Sequence, residues 1–162
     1  MHPSFRSLTT LLLLAVSPVA PALAADLEIV RVFTGWHSAE SFHRVSEYLG
    51  GKENTGGITV LTTQKAERSG YYWLVRLENK SAQLTGSRFE LQVISPSAPE
   101  PETFSFPADI PSGGSVFQLG LTGPDWPGPK SSPVAWRLRL LAADGATLLL
   151  RKSFLWERPE TK

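Results

Sequence analysis

Three side chains near the amino terminus have the chemistry and spacing of a partial metal site. His37, Glu40 and His43 follow one another at intervals of three residues, and a helix would place Glu40 and His43 on one face. Imidazole and carboxylate groups bind zinc and similar divalent ions, but a site takes three or four such ligands. The same residues suit a solvated helix face, on which Glu40 would pair with Arg44. Because one such pair is a common pattern, we expect no metal and no other cofactor, and these three residues stand as the metal candidates.

The sequence lacks the patterns that catalytic nucleophiles and acids usually require. It contains no cysteine, which excludes thiol catalysis and thiolate metal sites. It also contains no Gly-x-Ser-x-Gly segment, the turn that presents the serine nucleophile in one large class of hydrolases. The acidic residues are scattered along the chain rather than grouped. We therefore expect a protein that is not an enzyme, with a hydrolase or metal-dependent enzyme as the last alternative.

Five tryptophans are a high number for a chain of 162 residues, and two of them are candidates for ligand contact. Trp126 lies in a loop between Pro124 and Pro127, where a rigid backbone would display the indole at little entropic cost. Trp36 follows Gly35 and is the second candidate, since aromatic faces are one means of holding sugars or peptides. The alternative for Trp126 is a plug that closes one end of the core. The other three fall on predicted strands with apolar neighbours, which indicates core packing: Trp73, Trp136 and Trp156.

Three arginines mark the last two predicted strands. Arg137, Arg139 and Arg151 would form a basic stripe on the outer face of the final hairpin, where they are candidates for contact with a partner. The alternative is that these charges protect an exposed hairpin against edge-to-edge aggregation.

The register of this hairpin can be predicted from its two faces. A three-residue loop, with Gly145 left-handed after Ala143 and Asp144, would place Leu138 opposite Leu150 and Leu140 opposite Leu148. One face would then carry aromatic and aliphatic residues through Phe154 and Trp156, and the other face would carry the arginines. A two-residue turn would mix polarity on both faces, so the three-residue loop is favoured.

Short strands separated by turn signals account for most of the chain. Before the final hairpin the predicted strands cover residues 26–33, 58–64, 70–78, 88–94, 103–106 and 116–121. The alternation slips near Ile29 and Val30, which is typical of a β-bulge. One short helix is predicted over residues 39–49, because apolar residues recur there on a single face. The stretch 95–102 is rich in proline and is predicted to be a connection.

Seven or eight short strands with one early helix predict an antiparallel β-sandwich. The final hairpin has an Ala-Asp-Gly turn after a Trp-led strand and ends in Ser-Phe-Leu-Trp. In this it resembles the last hairpin of immunoglobulin-like or fibronectin-type-III-like domains of exported bacterial proteins. The resemblance is confined to the hairpin, and the cysteine pair of true immunoglobulin domains is missing. It implies an immunoglobulin-like fold and implies no activity.

The first 24 residues predict export. Arg6 precedes a short apolar run at 8–16, and Ala22-Leu23-Ala24 resembles the small-residue cleavage site of a secretory signal peptide. The run is shorter than the ~20 residues that a membrane-spanning helix needs. Removing Arg6 from the 16 basic residues leaves 15, which equals the 15 acidic residues, and this balance argues against a protein that binds nucleic acid or an anionic membrane. We expect a signal peptide at 1–24 and a single domain at 25–162, exported to the periplasm or the medium and without a membrane span.

These observations predict a binding protein. We expect an exported, non-enzymatic β-sandwich that contacts a protein or a polymer of the cell envelope through the outer hairpin face and the Trp126 loop. The alternative is a carbohydrate-binding module that uses Trp126 and Trp36.

Overall fold

The computed structural model describes residues 26–42 and 58–156, which form eight strands in two four-stranded sheets. The first sheet has the order β1-β3-β6-β2 and the second β5-β4-β7-β8. All neighbouring strands are antiparallel except β2 and β6, which are parallel. The strands are β1 (Leu27–His37), β2 (Ile58–Thr62), β3 (Gly70–Asn79), β4 (Arg88–Ser95), β5 (Ala98–Pro107), β6 (Gly113–Thr122), β7 (Ala135–Leu141) and β8 (Thr147–Lys152).

Alternate residues of both sheets meet in one hydrophobic cluster. The fully buried ring of Trp73 comes from β3, and Phe89 of β4 packs on Phe117 of β6 with ring centroids 5.0 Å apart. Each such side chain contributes about 1.5–3 kcal/mol when it leaves water. The predicted inward residues of β4 are confirmed, because all three are buried while the residues between them are only half-buried: Phe89, Leu91 and Val93.

The predicted irregularity in β1 is also present. The register between β1 and β3 shifts between Ile29 and Arg31, so Val30 has no direct partner and turns outward. Because the bulge adds one residue to β1, inward and outward side chains alternate again after it.

The prediction that residues 95–102 only connect two strands is wrong, because β5 begins at Ala98. Ser95 ends β4, and its hydroxyl accepts a hydrogen bond from the Ala98 amide at 3.1 Å, which tightens the turn. β5 forms the edge of its sheet, and an edge strand tolerates proline because one side of its backbone needs no partner. The predicted edge strand at 103–106 is part of β5.

The final hairpin has the predicted loop but not the predicted register. Gly145 is left-handed with φ 88°, and the Ala142 amide donates to the Ala146 carbonyl at 2.9 Å. A second irregularity between Leu140 and Leu141 then shifts the pairing by one residue, so that Leu138 lies opposite Arg151.

This shift has a packing reason. Two consecutive leucines of β8, Leu148 and Leu149, pack against the core, which a regular strand could not achieve with alternating side chains. Leu150 consequently turns outward and is 52% exposed. The predicted pairing of Leu138 with Leu150 is therefore wrong.

Ala39–Phe42 form a single 3-10 turn, and the rest of the predicted helix lies outside the described residues. The predicted signal peptide at 1–24 also lies outside them. Two further 3-10 turns occur at Gly123–Asp125 and Phe154–Trp156. Within residues 26–42 and 58–156, the helical segments are too short to span a bilayer.

Candidate functional site

Trp126 lies inside the protein rather than on a displayed loop. Its side chain is 5% exposed, and its ring centroid lies 4.9 Å from that of Tyr71 and 6.3 Å from that of Trp73. The turn that positions it begins at Gly123, which has φ 59° and so adopts a left-handed conformation that suits glycine. Of the two placements considered for Trp126, the structure therefore shows the buried one, at one end of the core.

One edge of Trp126 nevertheless contributes to a surface cavity of about 450 Å³. The cavity is bounded by β5 on one side and the Gly123–Asp125 turn on the other, and its wall includes two carboxylates, from Glu102 and Asp125. The Asp125 carboxylate accepts a hydrogen bond from the side-chain Nε2 of Gln64 at 2.8 Å. Ser97 and Thr103 also line the cavity, but the Thr103 hydroxyl accepts a hydrogen bond from Gln92 and the Ser97 hydroxyl is bonded to that of Ser95. The cavity therefore places acidic groups beside an aromatic ring.

Trp36 is half-buried near the end of β1. It lies opposite Tyr71 in the sheet and packs against the core cluster. Sequence reasoning grouped Trp36 with Trp126, but they contact the core from different elements and only Trp126 lines the cavity.

The metal candidates do not form a group of ligands in the described residues. His37 packs against two aromatic rings, with its centroid 5.8 Å from that of Phe42 and 5.6 Å from that of Tyr72. Glu40 is exposed to solvent, and His43 lies outside the described residues. Within the part of the chain that the structure covers, no three acidic or histidine side chains converge as a metal site would require.

Two of the three predicted arginines share the outer face of the second sheet. Arg137 lies opposite Gln92, and its Nε donates to the Gln92 Oε1 at 2.9 Å. Its guanidinium also stacks over the ring of Trp156, 5.1 Å from the centroid. Arg139 forms an ion pair with Glu90, the residue opposite it on β4.

Arg151 is separated from these two arginines. It lies opposite Leu138, and directly opposed residues project from the same face of a sheet. Because Leu138 is fully buried on the inner face, Arg151 is directed to that side at the sheet edge, where it is exposed. The predicted basic stripe of three arginines is therefore wrong, and only Arg137 and Arg139 share the outer face.

The end of the second sheet exposes apolar side chains, among them Phe154, which the predicted hairpin placed on its core-facing side. Phe154 is 95% exposed and Leu155 is 63% exposed. The pairing of β8 with β7 ends at Ser153, whose backbone N–H donates a hydrogen bond to the Trp136 carbonyl at 2.9 Å. The 3-10 turn that follows brings Trp156 onto Arg137 and leaves Phe154 in solvent. The one signal in the sequence is the loss of alternation after Ser153, where three apolar residues follow in succession.

We refer to Leu150, Phe154, Leu155 and Trp156, together with Arg137, as the carboxy-terminal patch. It combines exposed apolar groups with a guanidinium that is held in place by a ring, and aromatic and arginine side chains are the ones that most often dominate protein interfaces. No protein-family model matches the chain, and no curated protein has a significantly similar sequence.

Proposed function

We propose that this protein is a non-enzymatic binding protein that contacts a protein partner through the carboxy-terminal patch. The observation that carries the proposal is the 95% exposure of Phe154, which is followed in the chain by the exposed Leu155 and preceded by the exposed Leu150 of β8. Single exposed apolar residues need no explanation, but several that adjoin one another mark interaction surfaces. The stacked pair of Arg137 and Trp156 supplies a preorganised anchor, since fewer rotamers are lost on binding.

The partner's chemistry follows from the same residues. Phe154 and Leu155 favour an apolar depression on the partner. Arg139 is already paired with Glu90, whereas within residues 26–42 and 58–156 Arg137 contacts the neutral Gln92 side-chain amide and the Trp156 ring and no carboxylate. A partner carboxylate beside Arg137 would therefore add a charge-assisted contact.

Two substitutions of exposed phenylalanines, one inside the carboxy-terminal patch and one outside it, test this function. The purified chain is used to capture proteins from the exported fraction, and each protein identified is then purified and titrated against the variants. Phe154→Ser should weaken binding at least tenfold without lowering the unfolding temperature, because the side chain is already in water. Phe33→Ser is the control, since Phe33 is 58% exposed on β1 of the other sheet, and it should bind like the wild type. Equal binding by the Phe154 and Phe33 variants would refute the proposal.

The same proposal includes where the protein works and how its sheets are arranged. We propose that the two sheets form an immunoglobulin-like β-sandwich and that residues 1–24 are removed during export. The support is the single hydrophobic cluster shared by both sheets and the signal-like sequence of the first 24 residues. Amino-terminal sequencing of the exported protein should begin at Ala25, and retention of Met1 would contradict this.

A carbohydrate ligand is the second candidate, favoured by the cavity beside Trp126. The two carboxylates of its wall, Glu102 and Asp125, are groups that accept hydrogen bonds from sugar hydroxyls. Oligosaccharides of the cell envelope should then change tryptophan fluorescence, and Glu102→Gln should reduce their affinity. An unchanged spectrum across such a series would exclude this candidate.

A further inference from the structure

A second cavity, of about 420 Å³, opens between the two sheets on the side away from the final hairpin. β2 ends the first sheet and β5 ends the second, and the cavity runs between them along residues 60–62 and 105–107. Its volume falls within the range of about 300–1,000 Å³ that is usual for small-molecule sites.

Apolar side chains form half of the wall of this cavity, and Thr62 and Ser105 also line it. Phe106 is a buried residue of the core, and Leu61 is half-buried and packs against the same cluster. Val60 and Pro107 complete the apolar part of the wall. A ligand that enters far enough to touch Leu61 and Phe106 therefore buries hydrocarbon, at a gain of about 0.8 kcal/mol for each methylene group.

The rim of the cavity is cationic. Lys65 and Arg68 line it and are both exposed, and its lining includes no acidic residue. The nearby Glu67 does not line the cavity, and its Cγ lies beside Gly123. Within the described residues neither Lys65 nor Arg68 forms an ion pair. Two cations that meet no counter-charge among the described residues, at the mouth of a cavity with a partly apolar wall, favour an anionic group there.

A peptide strand is a poorer occupant of the same space. Adding a strand to an edge requires a row of free amide hydrogens, and Pro107 has none to offer. β5 carries two further prolines, at 99 and 101, and prolines on an edge strand discourage pairing with another chain.

We propose that this cavity binds an anionic amphiphile, whose carboxylate or phosphate lies between Lys65 and Arg68 and whose apolar chain lies against Leu61 and Phe106. The ligand could come from free fatty acid or from a membrane lipid, which share this chemistry. The site lies on edges that the carboxy-terminal patch does not use, so it is independent of the proposed protein-binding function.

Calorimetric titration with dodecanoate tests the site directly, and two ligands with a chain of the same length serve as controls. Dodecanoate should bind with one-to-one stoichiometry, dodecanol should bind at least tenfold more weakly, and dodecyltrimethylammonium should not bind. Arg68→Gln should weaken dodecanoate about tenfold, as loss of a charge-assisted contact predicts, and adding Lys65→Gln should weaken it further.

Arg76→Gln is the control variant, because Arg76 is also an exposed arginine and lies on β3 outside the cavity. It should bind dodecanoate within twofold of the wild type. Vesicles of phosphatidylglycerol form a second arm of the experiment. Binding to vesicles alone, with the same dependence on Arg68, would support the site and identify membrane lipid as the source. Equal affinity for the three dodecyl ligands, equal losses in the Arg68 and Arg76 variants, or no binding in either arm would overturn the proposal.

Discussion

Gly120→Ala should destabilise the protein strongly, while the same change at Gly35 should not. Gly35, Tyr72 and Gly120 lie side by side in one row across β1, β3 and β6. A Cβ atom at Gly120 would lie 2.6 Å from the Cζ and 2.9 Å from the Cδ1 of Tyr72, and closer still to Cε1. A Cβ atom at Gly35 would meet nothing within 4 Å.

The size of the effect follows from how firmly the Tyr72 ring is held. The side chain is 0% exposed, its hydroxyl donates to the Arg68 carbonyl at 2.7 Å, and the Phe42 ring lies 5.0 Å away. Overpacking of such a site costs about 1–3 kcal/mol, and displacing the hydroxyl from its acceptor adds about 1 kcal/mol. We therefore expect Gly120→Ala to lower the free energy of unfolding by about 2–4 kcal/mol. Gly35→Ala should raise it by about 0.4–1 kcal/mol, because alanine reduces the entropy of the unfolded chain.

Urea denaturation followed by tryptophan fluorescence measures the free energy of unfolding of both variants. The cost of Gly120→Ala should shrink when Tyr72→Leu is introduced as well, because the smaller side chain leaves room for the methyl group. If Gly120→Ala and Gly35→Ala had the same stability, or if the cost of Gly120→Ala were unchanged in the Tyr72→Leu background, the packing argument would be refuted.

Two further predictions concern Tyr72 and Trp126. Burial raises the pKa of Tyr72 to about 12, and the charge of Arg68 opposes this shift only in part. The neutral Tyr72 phenol therefore stabilises the folded protein fully below pH 10, and this stabilisation is lost as the pH rises through 12. The loss is at most about 2.7 kcal/mol, and the free energy of unfolding should fall more between pH 9 and 11.5 in the wild type than in Tyr72→Phe; parallel curves would contradict the assignment. Trp126→Ala should cost about 3–5 kcal/mol, as for other buried tryptophans, and a loss below about 1 kcal/mol in urea denaturation would contradict its buried position.

The residues that could be interpreted correctly from sequence are those whose environment is set by their immediate neighbours. The alternation of Phe89, Leu91 and Val93 reports which side of β4 is buried, because side chains of a strand point alternately to opposite faces. The slip at Ile29 and Val30 breaks that alternation and so reveals the bulge. Gly145 takes a left-handed conformation because the three-residue loop needs one.

The proposed sites could not be predicted from sequence, because they are formed by contacts between segments that are distant in the chain. The register of β8 is set by the packing of Leu148 and Leu149 on the core, and this packing sends Leu150 into solvent. The exposure of Phe154 follows from where Ser153 ends the pairing with β7.

The sequence by itself therefore determined a cysteine-free chain of many short strands, with the inner and outer residues of its regular strands. Only the tertiary structure decided which strands became edges, and this brought Leu61 of β2 and Phe106 of β5 to one cavity. The physical reason is that strand alternation is a local property of the backbone, whereas sheet order and bulges are decided by the packing of the whole core.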